Sequence, residues 1–361
     1  MLSAIISDRV IQNILVIKLR YTGDVLLATP VLRSLRDHYP LVRLTMAVNR
    51  ETEPILAGNP DLSEIIIVDR LAPLAQIRLL ADIRRRRFDA VIDLSDGDRS
   101  AIMAWVSGAP IRVGFNDERR WRGLLYTTAI QSPAGHRVKR DLAAIRVLGI
   151  EPKDDRPVLR LTAEEQKEAD VLLKDMGLSN AGESGPRPLV LLHPGARYWF
   201  KSWPVERFAE LADRLSSEQG SRVLVGGGPG DQKTAESIRE QAQSEVTVLA
   251  GRVNVRQFAG VLTRCAMFIG NDNGAMHIAA AVGTPVVGLF GPSHPVEWGP
   301  RAEQAAVIYK GIDCRACFHP TCLRGNENCM RQISVDEVYA AARKFLVRGS
   351  TFEVQSSGKR A

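Results

Sequence analysis

Phe268-Ile-Gly-Asn-Asp-Asn-Gly-Ala-Met-His-Ile-Ala-Ala-Ala-Val-Gly-Thr-Pro-Val-Val-Gly-Leu-Phe-Gly291 decides the fold. An apolar run enters a loop of Gly, Asn and Asp at Gly270–Gly274, small residues at helical spacing follow, and a second apolar run starts at Pro285. This is a strand, a tight loop, a helix and a parallel strand. His277 stands three residues after Gly274, so it falls in the first helical turn and faces the same loop as Asp272. Exposed N–H groups, the positive end of a helix and a donor side chain together suit a phosphate.

The same alternation extends in both directions. Apolar, β-branched runs recur at Ile14–Leu19, Arg43–Val48, Glu64–Asp69 and Ala90–Ser95, and again at Leu189–His193, Arg222–Gly226, Val246–Ala250, Met267–Asn271, Pro285–Phe290 and Ala306–Tyr309. Near-continuous apolar strands separated by helices indicate parallel sheets covered on both faces. Between the two sets, Gly177–Pro188 is rich in Gly, Ser and Pro and reads as a linker. The expected architecture is α/β: two Rossmann-like, doubly wound domains over 1–176 and 189–333, with a linker at 177–188. A C-terminal helix and tail follow over 334–361, with the helix packing back on the first domain.

Composition narrows the function. At 361 residues with 45% hydrophobic and 25% charged residues the chain is globular. No apolar run approaches a membrane span and the N-terminus shows no secretory signal, so the expected compartment is the cytoplasm. The net charge is +7, and residues 1–150 hold 22 cations against 16 anions. An anionic partner for the N-terminal half is therefore expected. There is no Gly-x4-Gly-Lys-Ser/Thr loop, no Gly-x-Ser-x-Gly elbow and no His-Glu-x-x-His.

Ligands of open α/β sheets bind outside the carboxyl ends of the strands. Lys18-Leu-Arg-Tyr-Thr-Gly-Asp24 leaves the first strand there. Two readings of Asp24 stand: a cap for the following helix, or a general base. Leu191-Leu-His-Pro-Gly-Ala-Arg-Tyr-Trp-Phe-Lys-Ser-Trp-Pro204 leaves the first strand of the second half. Its Gly195, Arg197 and Lys201 before a helix make an anion site.

Taken together and in this order, Gly-Asp-Val-Leu-Leu-Ala-Thr-Pro, His-Pro-Gly-Ala-Arg…Lys-Ser-Trp-Pro and Asn-Asp-Asn-Gly-Ala-Met-His-Ile-Ala-Ala-Ala resemble the bacterial lipopolysaccharide heptosyltransferases, glycosyltransferase family 9. The likeness covers roughly Ile14 to Val347, and the second segment and the Cys-rich stretch look most like the heptosyltransferase III branch. The resemblance implies a GT-B fold, with two Rossmann-like domains facing a cleft and the sugar nucleotide held by the C-terminal one. It implies inverting transfer of heptose from ADP-L-glycero-D-manno-heptose to the inner core of lipopolysaccharide. The alternative is a GT-B transferase using another nucleotide sugar or another glycan acceptor. By the same resemblance Asp24 matches the catalytic aspartate and Lys201 the phosphate-binding lysine. Asp272, Asn273, Gly274 and His277 match an Asp-Thr-Gly-x-x-His donor motif, with Asn273 departing from the common Thr. Gly195 and Ala196 replace hydroxyl residues of some members, so donor contacts there fall to backbone N–H groups. No cofactor or divalent metal is expected, the chain is expected to be a monomer, and nucleic acid is not a partner.

An anionic lipopolysaccharide precursor at the inner face of the inner membrane, approached by a peripheral protein, would give the basic half its partner. Arginine binds phosphates and carboxylates in bidentate fashion. Candidate acceptor-binding residues are Arg50, Arg99, Arg120, Arg137 and Lys139, with Arg119 and Arg122 beside them. The run Arg84–Arg87 is a candidate membrane-surface patch. Cys314, Cys317, Cys322 and Cys329, four cysteines in 16 residues, are a candidate zinc site, with reduced thiols as the competing reading.

Overall fold

The structure, a computed structural model, describes residues 11–69, 73–178, 187–311, 317–318, 321–322 and 324–346. It divides into two compact units, Met1–Arg160 and Leu161–Ala361.

The first unit is a six-stranded parallel sheet: β1 Asn13–Lys18, β2 Arg43–Asn49, β3 Glu64–Val68, β4 Ala90–Asp93, β5 Ile111–Phe115 and β6 Thr128–Ile130. The order is β3-β2-β1-β4-β5-β6. β1 lies at the centre, pairing with β2 (Ile14 opposite Leu44) and β4 (Ile14 opposite Ala90). Its Ile14, Leu15, Val16 and Ile17 have no solvent exposure, as expected of a strand covered on both faces. The helices are α1 Thr22–Leu27, α2 Thr29–His38, α3 Pro73–Arg85, α4 Asp98–Val106 and α5 Arg137–Arg146. β5 and β6 were not among the expected strands. β5 reads Ile-Arg-Val-Gly-Phe, its apolar run broken by Arg112 and Gly114, and β6 has three residues.

The second unit repeats the plan. α6 Ala163–Asp175 precedes β7 Leu189–His193, α7 Val205–Gln219, β8 Arg222–Val225, α8 Gln232–Gln241, β9 Val246–Val248 and α9 Val255–Leu262. Then come β10 Met267–Asn271, α10 Gly274–Ala281, β11 Val286–Phe290, α11 Pro295–Trp298, β12 Ala305–Tyr309, a two-residue pair β13 (Cys317–Phe318) and β14 (Thr321–Cys322), and α12 Val335–Leu346. The sheet order is β12-β11-β10-β7-β8-β9, parallel throughout. Both sheets thus have the doubly wound order in which the chain reverses direction between its two central strands.

One expected boundary moves. α6 belongs to the second unit, not to a first domain running to 176, because charge ties it there. Arg256 donates to both oxygens of Glu165 at 2.7 and 2.6 Å, and Arg264 pairs with Asp170 at 2.6 Å. α12 packs on α7 of its own unit. Val338, Tyr339 and Ala342 enter the second core, and Gln219 donates to the Tyr339 hydroxyl at 2.7 Å. Most of the expected linker, 179–186, lies outside the described residues.

Glu165 also closes a capping box with Thr162 at the start of α6. Hydrogen bonding from Arg256 holds its carboxyl below the usual glutamate value of about 4.5. A depressed folded-state pKa contributes stability above the unfolded value and loses it as pH falls through the folded one. Glu165→Gln is expected to cost about 1 kcal/mol at pH 7, a drop of roughly 2–4 °C in melting temperature. That gap closes as pH falls below about 4; melts showing the same gap at pH 3 would refute the assignment.

Candidate active site

In the second unit the loops leaving β7 and β10 meet at the carboxyl edge of the sheet, where the strand order reverses. Two asparagine side chains bind them together. Asn271, at the end of β10, donates to the Pro194 carbonyl at 2.7 Å and accepts from the Trp203 N–H at 3.1 Å. Asn273 caps α10 by accepting from the Met276 N–H at 3.1 Å. Its amide nitrogen donates to the Gly195 carbonyl at 2.6 Å and lies 3.0 Å from His193 Nδ1. Burial pushes the His193 imidazole down from its ordinary value, which keeps the ring neutral and Nδ1 an acceptor. A threonine at 273 has one hydroxyl proton and would serve only one of these acceptors. The departure from the family's common residue therefore adds a tether.

Lys201 is held from both sides. Phe200 and Trp203 are buried, with Trp203 1% exposed, edge-on to Phe208 at 4.9 Å and donating from Nε1 to the Ile333 carbonyl at 2.9 Å. Burying an indole of this kind contributes about 2–3 kcal/mol, so the loop is anchored where it must present its lysine. Lys201 Nζ then lies 2.9 Å from Asp272 Oδ2. An ammonium has three protons, and one contact to Asp272 leaves two for an incoming anion. The first N–H groups of α10, at Gly274 and Ala275, have no acceptor within the helix and point with its dipole toward the same edge. His277 is buried in this first turn, and Ala196, half-buried, adjoins Gly195. The expected donor residues are thus brought together on one edge.

Gly195 is required by space. A Cβ there would stand 2.6–2.7 Å from the Asp231 carboxylate, which also approaches Gly227 and accepts from the Gly228 N–H at 2.8 Å.

In the first unit Asp24 sits at the third position of α1, half-buried. The N-cap is Tyr21 and no side chain caps this helix, so the capping reading of Asp24 fails. Its carboxylate accepts no hydrogen bond from any described residue. Beneath the same strand ends lies a charged layer that the sequence did not disclose. Lys18, 4% exposed, pairs with Asp141, 1% exposed, at 2.5 Å and donates to the Leu94 carbonyl at 3.2 Å. Burial pushes the Asp141 carboxyl up against the opposing pull of the Lys18 ammonium. Arg140 stacks on Phe115 at 3.8 Å and reaches Asp96 at 3.1 Å. Asp93 accepts from the Tyr126 hydroxyl at 2.7 Å. A lysine closing an otherwise apolar strand was the one signal available.

The candidate acceptor arginines are unequal. Arg50 grips Asp69 through two hydrogen bonds of 2.7 and 2.5 Å, and Arg99 donates to the Asp69 carbonyl at 2.5 Å, so these two converge. Arg120 pairs with Glu118. Arg122 is buried against Asp96 at 2.7 Å. Arg137 opens α5, and Lys139 lines a shallow surface pocket on that helix with Arg146 and Lys153. Cys314 lies outside the described residues. Cys317 and Cys322 are register partners in the β13–β14 pair, and Cys322 is buried. Among the described residues no group of three or more His, Cys, Asp or Glu is placed to hold a metal. No helix among them is long and apolar enough to cross a membrane.

Comparison with known proteins agrees with this geometry. Residues 76–327 match the family model described as glycosyltransferase family 9 (heptosyltransferase). Lipopolysaccharide heptosyltransferase 3 of Escherichia coli is 26% identical over 92% of this chain and 99% of its own length. Lipopolysaccharide heptosyltransferase 2 of Salmonella typhimurium is 30% identical over 82% and 88%. A family 9 glycosyltransferase from Veillonella parvula superposes with a TM-score of 0.80 at 26% identity, covering 93% of this chain and 97% of that one. E. coli ADP-heptose heptosyltransferase II, at 24% identity and TM-score 0.75, shares the two-sheet fold over 93% of this chain and 99% of its own. The chain belongs to glycosyltransferase family 9, the heptosyltransferases, and is a glycosyltransferase with the GT-B fold.

Proposed function

We propose that the chain transfers heptose from ADP-L-glycero-D-manno-heptose, with inversion, to the inner core of a lipopolysaccharide precursor. It acts as a monomer at the inner face of the inner membrane, as a peripheral protein, and uses no metal cofactor. The observation that carries this reading is the anion site at the edge of the second sheet: Lys201 tethered to Asp272, beside the first N–H groups of α10. Relatives named for heptose transfer, and a related E. coli enzyme solved with ADP, support a nucleoside diphosphate there.

The chemistry follows from the groups present. Asp24, an accessible carboxylate, takes the proton from the acceptor hydroxyl as that oxygen attacks the anomeric carbon. The bond to the ADP phosphate breaks, and charge gathers on the departing oxygen. Lys201, the Gly274 and Ala275 N–H groups and His277 meet that charge, with the Gly195 and Ala196 backbone along the diphosphate. Fixed donors in a partly desolvated site do this without a divalent ion. Arg50, Arg99, Arg120, Arg137 and Lys139 engage acceptor phosphates and carboxylates, Arg50 and Arg99 as one unit around Asp69.

Incubating the chain with ADP-heptose and a series of truncated lipopolysaccharides, with product mass as readout, is expected to show addition of one heptose; no addition to any acceptor would sink the reading. Asp24→Asn should lower turnover by roughly 10²–10⁴-fold and leave ADP affinity unchanged. Near-normal turnover would remove Asp24 from the role of base. Lys201→Ala should weaken ADP binding by roughly ten- to a hundredfold, the loss of one charge-assisted contact to phosphate. Titration calorimetry showing an unaltered affinity would refute that contact.

A further inference from the structure

The first unit carries exposed apolar side chains on three adjoining elements that its core does not use. α3 buries Ile83 and packs Leu79 and Leu80 against the core. Leu74, Ile77 and Ala81 recur at i, i+3 and i+7 on another side of the helix, where Leu74 and Ile77 are 70% and 62% exposed. α4 repeats the arrangement: Ala101, Met103 and Ala104 are buried, while Ile102 and Trp105 are exposed. The turn Trp121–Leu125 exposes Trp121 and Leu124. The three elements adjoin, α3 against α4 and α4 against the turn. At the seam the Arg84 guanidinium fills the space that a side chain at Gly108 would need.

The same segments are basic. Arg78, Arg84, Arg87 and Arg119 form no ion pair among the described residues, whereas Arg86 is taken up by Glu64 and Asp82, and Arg85 by Asp82. From residue 73 to residue 87 there are five arginines and one acid. Two exposed indoles, four exposed aliphatic side chains and a margin of uncommitted guanidinium groups match the layers of a bilayer surface. Aliphatic groups enter the acyl boundary, indole rings sit at the headgroup level, and arginines meet lipid phosphates. A protein partner would have to answer those arginines with its own acids; an anionic leaflet supplies the charge uniformly.

We propose that the face formed by α3, α4 and residues 121–125 docks the chain on a bilayer containing anionic phospholipid. The proposal rests on the reading of a membrane-borne acceptor and names the surface and the lipid chemistry that hold the chain beside it.

The test uses the full chain and vesicles free of lipopolysaccharide. Co-sedimentation is expected with phosphatidylglycerol–phosphatidylethanolamine vesicles, to weaken as salt rises, and to be much reduced with phosphatidylcholine. W105S/W121S and R78E/R84E should each bind at least about tenfold more weakly, with melting temperatures unchanged because the positions are exposed. Vesicles with brominated acyl chains should quench the tryptophan emission of the parent chain and not that of W105S/W121S. Transfer to a deacylated core oligosaccharide in solution should be the same in all three proteins. The proposal is overturned if the parent chain does not bind anionic vesicles, or if both variants bind as it does. It is overturned equally if light scattering shows a dimer that W105S/W121S dissociates, since a second copy would then own the face. Vesicle binding lost in the variants, beside a parent chain inactive on the soluble acceptor, supports the docking surface and counts against the proposed function alone.

Discussion

An amide side chain joins the two loops that meet at the carboxyl edge of the second sheet. Asn273 bridges two loops that follow strands 78 residues apart in sequence, through the Gly195 carbonyl on one side and the Met276 N–H on the other. Such a bridge is possible only because β7 and β10 are neighbours in the sheet, so their carboxyl ends deliver both loops to one place. The loops of that edge take their places from this bridge and from Asn271. The start of α10 is set by the cap, the Gly195 backbone by its carbonyl, and Lys201 by the buried Trp203, whose own N–H is fastened to Asn271. Polar groups removed from water must be satisfied. Here the satisfaction of two carbonyls and two N–H groups, of Pro194, Gly195, Trp203 and Met276, is also what shapes the site.

The first unit solves a different problem. Lys18, Asp141, Arg140, Arg122 and Asp93 are all nearly excluded from solvent, and removing charges from water costs several kcal/mol per ion before pairing offsets it. Pairing at 2.5–3.1 Å, a carbonyl for the spare lysine proton and a ring face for Arg140 supply the offset. Such a layer contributes little net stability, and loss of one member leaves an uncompensated charge. Asp24 lies close enough to this layer for its charge to act on Asp141, and its own carboxylate accepts no hydrogen bond from a described residue.

The alternation of apolar runs and helical stretches was enough to read two doubly wound units, because fully buried parallel strands leave a continuous apolar signature. β5 escaped because Arg112 and Gly114 interrupt that signature; Arg112 earns its place by donating to the Leu125 and Ala109 carbonyls at 2.8 and 2.6 Å. The helix at 163–175 was given to the wrong unit because its allegiance lies in ion pairs across some 90 residues, to Arg256 and Arg264, which no local pattern carries. The loops that carry Gly195, Lys201 and Asp272–Gly274 were legible as runs of small and polar residues after strands. The tie between Asn273 and His193 was not, since it depends on a sheet neighbour. The buried Lys18–Asp141 pair joins residues 123 apart, and each of them alone is an ordinary charged residue in its local sequence.

Asp231 imposes a further condition on the loop that follows β7. Its carboxylate fills the space beside Gly195 and Gly227 and ends the turn at Gly228. A serine or threonine at position 195, the hydroxyl found in some family members, would push that carboxylate aside and release the Gly228 N–H. The two positions are therefore coupled: a side chain at 195 is accommodated only if the Asp231 carboxylate shifts or is replaced, and either change loosens the turn at Gly228.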